Sequence, residues 1–132
     1  MTASEENKAL VRAVFGPWEA GDAGPFLDLI AEDVTWTVRG STPVSGVYHA
    51  KQDLVEGAFK PLLSRLEGPL KTRLVDVAAD GEKVYLRFHG SGLAKSGLHY
   101  EQDYCFAMIM REGRIVEIVS YVDTELLTKL FS

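Results

Sequence analysis

The segment Lys83–Met110 constrains the fold of this chain most, because its side chains alternate in character over two long stretches. Lys83–Leu93 and Leu98–Met110 are predicted to be antiparallel strands joined by the polar turn Ala94–Gly97. Successive side chains of a strand point to opposite faces of the sheet. A curved sheet with this hairpin as its central part is therefore the predicted framework of the fold.

One face of this hairpin carries polar side chains. In the first strand, alternation puts three residues on that face: Tyr85, Arg87 and His89. The matching face of the second strand changes from acidic to apolar along Glu101, Asp103, Cys105, Ala107 and Ile109. A face that is partly polar and partly apolar is typical of a small-molecule pocket. We therefore predict that His89 and Asp103 face each other on neighbouring strands inside a pocket, with Arg87 nearby.

The rest of the chain combines helical periodicity with shorter strands. Apolar residues at helical spacing predict a first helix that ends near Glu19–Gly21, with a kink or a local break at Pro17. The other predicted elements, in chain order, are a short helix after Asp22, strands Val34–Arg39 and Val44–His49, a helix Ala50–Leu66 bent at Pro61, strands Leu70–Ala79 and Arg114–Val122, and a helix Thr124–Phe131. Helices packed on one side of a strongly curved antiparallel sheet give an α+β fold.

Size and charge exclude several classes of function. With 132 residues the chain has the length of one domain, residues 1–132. Its net charge of −5 argues against nucleic-acid partners, which require a concentrated basic surface. No apolar run approaches the ~20 residues of a membrane span, and the polar, acidic start of the chain is unlike a secretion signal. A cytoplasmic protein with no membrane partner is the expectation.

The sequence predicts neither a metal site nor a cofactor. The three histidines share no ligand spacing. The one cysteine, Cys105, can form neither an internal disulfide nor a cysteine-cluster metal site, and a packed, inert thiol is its expected state.

Three segments carry a resemblance to a known family. Glu19–Asp22 precedes the second helix, Leu29–Trp36 leads into the first strand, and Gly113–Asp123 contains the last strand. Through them the chain resembles the NTF2-like superfamily over nearly its full length, and within it the SnoaL-like proteins related to polyketide cyclases, ketosteroid isomerases and limonene epoxide hydrolases. The resemblance implies a cone-shaped curved sheet with three main helices, an internal pocket and a homodimer formed through the outer sheet face. Members of this fold include enzymes and non-catalytic binding modules.

The catalytic residues of these relatives are only partly present. The positions that match the ketosteroid isomerase residues lack all three roles: Val14, Val38 and Cys105. Of the epoxide hydrolase set only Arg87 remains, with Ser120 in place of the aspartate on the last strand. In SnoaL-type cyclases a histidine and an aspartate fourteen positions later act as acid and base. His89 and Asp103 have that spacing, although the glutamine that lies two positions before the family histidine is replaced by Arg87.

The first functional hypothesis is a cofactor-independent lyase or isomerase that acts on a small apolar carbonyl compound. Asp103 would be the base, His89 its partner acid, and Arg87 the group that stabilises an enolate. The candidate substrate-binding residues are Trp18, Trp36, Tyr48, Phe59, Tyr85, Glu101, Cys105 and Ser120. In the alternative interpretation, His89 and Asp103 are only a satisfied cross-strand pair.

Two other functions remain open. The chain can be a non-catalytic ligand-binding or dimerisation module of the same fold, or an epoxide hydrolase-like protein that activates water. An apolar patch on the outer sheet face favours a dimer, because such a surface is too large to leave in water. The residues assigned to that patch are Tyr104, Phe106, Met108, Val119 and Tyr121.

Overall fold

A curved six-stranded sheet with helices packed on one face forms the fold of the protein, in a computed structural model that describes residues 1–132. The helices are α1 (Ala3–Glu19), α2 (Gly24–Leu29), α3 (Lys51–Leu54), a π-helical turn (Val55–Phe59), α4 (Lys60–Ser64) and α5 (Thr124–Leu130). The strands are β1 (Ile30–Val38), β2 (Gly46–Tyr48), β3 (Lys71–Asp80), β4 (Lys83–Leu93), β5 (His99–Arg111) and β6 (Arg114–Tyr121). The predicted α+β class is confirmed.

The strand order of the sheet is β2-β1-β6-β5-β4-β3. The antiparallel pairing predicted for β3 to β6 is confirmed, and β1 also pairs with β2 in that way. The pair β1–β6 is parallel, which the sequence did not indicate. Parallel strands require a long crossover connection, and here all of the chain between β1 and β6 supplies it.

The two faces of the β4–β5 hairpin have opposite environments. Alternation is confirmed, and His89 pairs with Asp103 in the predicted register. The assignment of the inner face, by which we mean the face covered by the helices, is wrong. Val84, Leu86 and Phe88 are buried there. The polar face is the outer one, because charged side chains stay in water unless burial is compensated by partners.

The same reversal applies to β5. Tyr104, Phe106 and Met108 were assigned to the outer apolar patch, and all three pack into the core instead. Val119 and Tyr121 do lie on the outer face, where Tyr121 is 50% exposed. Ala107 of β5 pairs with Val119 of β6, so these two residues share the outer face.

The helix α1 crosses the inner face and buries Val11, Phe15 and Trp18. The predicted break at Pro17 is absent, since the helix continues to Glu19. Pro17 lies in the last turn, where its missing amide donor removes one hydrogen bond, the one to the carbonyl four residues back, and only two helical residues follow it. No helix in the structure has both the length and the apolar character that crossing a membrane requires.

The third predicted helix contains a π-helical turn just before Pro61. The backbone N–H of Lys60 donates to the carbonyl of Val55, five residues back, where an α-helix would use the fourth. Gly57 in this turn lies against the ring of Tyr48, and an added Cβ would be 2.9 Å from its Cε1 atom. The turn therefore fits closely over β2, and its residues Ala58 and Phe59 face the core side.

Candidate binding cavity

A cavity lies between the inner face of the sheet and the helices. It offers about 80 Å³ to the centres of water molecules, several times the ~10–15 Å³ that one water requires on the same measure. The lining residues are Trp18, Ala23, Phe26, Leu27, Trp36, Val38, Val44, Leu54, Ala58, Phe59, Leu62, Leu70, Phe88, Tyr104, Phe106, Ser120, Val122 and Leu127. Of these 18 residues, 17 are hydrophobic and Ser120 is the exception.

Aromatic rings form much of the cavity wall. Phe88 and Tyr104 stack with ring centroids 4.7 Å apart and planes inclined by 3°. Phe106 meets the rings of Phe88 and Trp36 edge-on, at 5.1 and 5.6 Å. Rings in these arrangements gain quadrupole attraction beyond their area burial, and they hold one another in place. The wall is therefore apolar and well ordered.

Ser120 and Trp36 form the polar point of this wall. The indole Nε1–H of Trp36 donates to Ser120 Oγ over 2.7 Å, and the bond is buried. The two residues lie on adjacent strands, in the parallel β1–β6 pair. Ser120 is only 5% exposed. A serine hydroxyl also carries one donor hydrogen, and no protein atom accepts a hydrogen bond from it in the structure.

A second pair of hydroxyl groups belongs to Tyr104 and Tyr100, whose oxygens are 2.8 Å apart. Burial raises the pKa of Tyr104 well above its usual value. Burial also raises the pKa of Tyr100, against the opposing effect of hydrogen bonds from Tyr104 and Gln102. Both phenols therefore stay protonated at neutral pH, so neither can act as a general base there.

The predicted acid–base pair lies outside the cavity, so its placement in a pocket is wrong. The two side chains do form a hydrogen bond, since His89 Nδ1 and Asp103 Oδ1 are 3.1 Å apart. The Asp103 side chain is 92% exposed and that of His89 26% exposed. Glu101 approaches the other ring nitrogen at 4.0 Å, also on the outer face. Arg87 is exposed on the same face. Water solvates these charges there, whereas the apolar inner face would not.

The predicted substrate-binding residues divide between the two faces. Trp18, Trp36, Phe59 and Ser120 line the cavity. Tyr48 is half-buried beside it, with its hydroxyl donating to the carbonyl of Val44, and burial raises its pKa. The remaining three, Tyr85, Glu101 and Cys105, are on the outer face, so their placement in the pocket is wrong for the same reason as that of His89.

Several cavity residues were missed because they were assigned to the other face or to the core. Phe88, Tyr104 and Phe106 are the main examples. A usable signal existed in the sequence, since one set of alternate positions of β4 and β5 carries no charged residue, whereas the other set carries Arg87, Glu101 and Asp103. The uncharged set marks the face that helices cover.

The ammonium group of Lys51, whose side chain is only 14% exposed, stabilises the packing of the helices. The Lys51 ammonium group is bonded to the carbonyls of Leu27 and Ile30, where α2 ends, and to Glu32 at 3.1 Å. These bonds hold α3 against the end of α2 and the start of β1, where the Leu27 carbonyl also accepts from the N–H of Ile30 and the Ile30 carbonyl also accepts from Arg114. No three His, Cys, Asp or Glu side chains converge in the structure in a way that would hold a metal ion.

Comparisons with known proteins agree with this architecture. The model of the SnoaL-like domain family matches residues 11–118 of the chain. An NTF2-like protein from Burkholderia thailandensis has a TM-score of 0.80 at 20% identity, over 96% of this chain and 97% of that one. Bal32a, from a soil-derived mobile gene cassette, has a TM-score of 0.83 at 17% identity, over 99% and 100%.

A third similar structure is TerC co-crystallised with polyporic acid, with a TM-score of 0.77 at 17% identity over 95% of this chain and 97% of that one. No curated protein sequence is significantly similar to the chain. At these identities the structural matches establish the shared fold, and the family model covers most of the chain. The protein has the fold of NTF2-like proteins, and it belongs to the SnoaL-like domain family.

Proposed function

We propose that the protein binds a small apolar molecule in the cavity and does so as a binding module, without acid–base chemistry from the residues that line it. One observation carries this proposal: 17 of the 18 lining residues are hydrophobic, and the remaining one is a serine. General acid–base catalysis uses a positioned carboxyl, imidazole, amine, phenol or thiol group within hydrogen-bond reach of the substrate. Of these groups the lining includes only the phenol of Tyr104, which stays protonated at neutral pH and so supplies no base.

The lyase or isomerase hypothesis has less support. It requires His89, Asp103 and Arg87 together in an enclosed, dry site, within hydrogen-bond reach of the substrate. An imidazole and a carboxylate in water lack this environment, and they also lie on the face of the sheet opposite the cavity. Water activation of the epoxide hydrolase type is likewise disfavoured, because Ser120 is a poor base and no carboxylate lines the cavity beside it.

The ligand is expected to stabilise the protein against unfolding, because it binds only the folded state. At a free concentration of about 100 times the dissociation constant, the gain is ~2.7 kcal/mol. Replacing Ala58 with leucine puts an apolar side chain into the cavity and should weaken binding of small aromatic probes at least tenfold. Thermal unfolding with and without probe, together with titration followed by the fluorescence of Trp18 and Trp36, measures both effects.

The matched control is Ala78→Leu, an equivalent substitution at an exposed position of β3. It should leave probe affinity within a factor of two. Equal binding to the wild type and to Ala58→Leu would show that the probes bind elsewhere, and the proposal of a cavity ligand would then be rejected.

We further propose that the protein forms a homodimer through the outer face. A row of apolar or small side chains crosses five strands there, and we call it the outer row: Tyr85, Ala107, Val119, Thr37 and Val47, paired in that order. Tyr85 is 46% exposed and Val47 is 54% exposed. A continuous apolar surface of this kind favours burial against a partner.

The charges beside the outer row suit a second copy of the same surface. Arg73 and Arg87 lie on β3 and β4, and Glu101 and Asp103 lie on β5. In a twofold interface the same surface of both copies is in contact. The basic side chains of β3 and β4 in one copy can then face the acidic side chains of β5 in the other. This self-complementary arrangement supports a dimer over an unrelated partner of a single charge.

Val119→Lys should convert the dimer to a monomer, because it puts a charge into the middle of the outer row. In a dimer, the lysine of each protomer would be buried in the interface without an anionic partner. Sedimentation or light scattering after size exclusion gives the mass directly. Leu10→Lys, at an exposed apolar position of α1, is the matched control and should stay dimeric. A wild-type protein that is monomeric at micromolar concentration would refute the interface.

A further inference from the structure

Ser120 gives the cavity a hydrogen-bond donor that no protein atom uses, and this donor defines the chemistry of the ligand. Ser120 is 95% buried, since 5% of it is exposed, and it lines the cavity. Its oxygen accepts from Trp36 Nε1–H at 2.7 Å. A hydroxyl has one hydrogen to donate and two acceptor sites. The indole occupies an acceptor site, so the hydrogen remains available.

A buried donor without an acceptor is costly, which is why most buried polar groups in proteins are paired. The Trp36 bond strengthens this effect, because a hydroxyl that accepts a hydrogen bond becomes a better donor. All of the other 17 lining residues are hydrophobic. An acceptor atom on the ligand is therefore the partner that satisfies Ser120.

We infer that Ser120 is the specificity-determining residue of the cavity, and that the ligand is a neutral, small, ring-containing molecule with one acceptor oxygen, such as a ketone, aldehyde or ester carbonyl. This inference rests on the proposed binding function. The aromatic wall contacts the ring of the ligand, and the Ser120 hydroxyl donates to its oxygen. An anionic oxygen is disfavoured, because none of the lining residues carries a positive charge to offset its desolvation.

The test uses two probes of nearly equal shape, acetophenone and α-methylstyrene. Acetophenone has a carbonyl oxygen at the position where α-methylstyrene has a methylene group. Dissociation constants are measured for the wild type and for Ser120→Ala. The substitution should weaken acetophenone binding about threefold to tenfold, the usual worth of one net hydrogen bond. Binding of α-methylstyrene should stay within a factor of two. Benzoate, as the anionic probe, should bind more weakly than acetophenone to both proteins.

An infrared measurement separates a direct contact from a structural effect. The carbonyl stretch of bound acetophenone should lie at lower wavenumber in the wild type than in Ser120→Ala, because hydrogen bonding weakens the C=O bond. A change of packing alone would not produce this selective shift. Ser120→Cys is the second variant, since it keeps a weak acceptor for Trp36 and supplies only a weak donor. It should also weaken ketone binding and leave alkene binding unchanged.

The possible outcomes separate this inference from the proposed function. If both probes bind, and Ser120→Ala and Ser120→Cys change the two dissociation constants equally or not at all, the role of Ser120 is overturned while the cavity remains the binding site. Tighter binding of benzoate than of acetophenone would also overturn it. If neither probe binds and Ala58→Leu has no effect, the proposed function fails and the inference fails with it.

Discussion

Replacing Phe88 with alanine is expected to lower the free energy of unfolding by about 3–5 kcal/mol. Phe88 is 1% exposed, and its ring centroid lies within 5.2 Å of those of Phe15, Trp18, Tyr104 and Phe106. Truncation removes these contacts and leaves a void next to the existing cavity, which the rigid neighbours cannot fill. Urea unfolding followed by tryptophan fluorescence measures the loss.

His89 provides the control. It directly follows Phe88 in β4, and its side chain therefore points to the opposite face of the sheet. His89→Ala should cost less than about 1 kcal/mol, since the hydrogen bond that it removes is made to the carboxylate of Asp103, whose side chain is 92% exposed. Both variants alter one side chain of the same strand. A loss as large for His89→Ala as for Phe88→Ala would contradict the assignment of the two faces.

Replacing Gln102 with leucine is expected to lower the free energy of unfolding by roughly 1–3 kcal/mol, because the N–H of Asp123 loses its partner and a buried polar group left unpaired costs ~1–3 kcal/mol. The carbonyl of Asp123 keeps its hydrogen bond from the N–H of Leu127. Gln102 is fully buried. Its Nε2 donates to the carbonyl of Asp123 at 3.0 Å, and its Oε1 accepts from the N–H of Asp123 at 2.9 Å. Asp123 in turn caps α5 through bonds from the N–H groups of Glu125 and Leu126.

The loss should appear first at α5, whose Leu127 lines the cavity. Hydrogen exchange should show faster exchange of the α5 amides in Gln102→Leu than in the wild type. Glu101→Gln, at the exposed neighbouring position of β5, should change stability by no more than about 0.5 kcal/mol. If α5 stayed as protected as in the wild type, the amide of Gln102 would not be what holds this helix in place.

The alternation of the central hairpin was predictable from the sequence, whereas the direction of its two faces was not. A strand has a side-chain period of two whatever surrounds it, so the pairing of His89 with Asp103 followed from local pattern. Which face is covered depends on where α1 and the other helices pack, and that is a property of the whole chain. The mixture of acidic and apolar side chains on one face of the second strand was interpreted as a pocket lining, and this favoured the wrong face. The cost of burying Arg87, Glu101 and Asp103 argued for the outer one.

The cavity residues that were predicted correctly come from separate segments of the chain. Trp18, Trp36, Phe59 and Ser120 were each candidates, as large aromatic side chains or by their position in the resemblance. The hydrogen bond from Trp36 to Ser120 was not foreseen, because it depends on the parallel pairing of β1 with β6. No local pattern in either strand specifies that partner. Such contacts between distant segments are fixed only when the sheet is complete.

The parallel strand pair also has a consequence for how the molecule folds. Trp36 and Ser120 are separated by 84 positions along the chain, and a contact of this kind requires the loss of loop-closure entropy before it yields any gain. High contact order of this type is associated with slow folding. The cavity is therefore completed late: a nascent or shortened polypeptide that lacks β6 contains the aromatic rings of the wall, but it has no serine hydroxyl for the indole of Trp36 and no closed cavity.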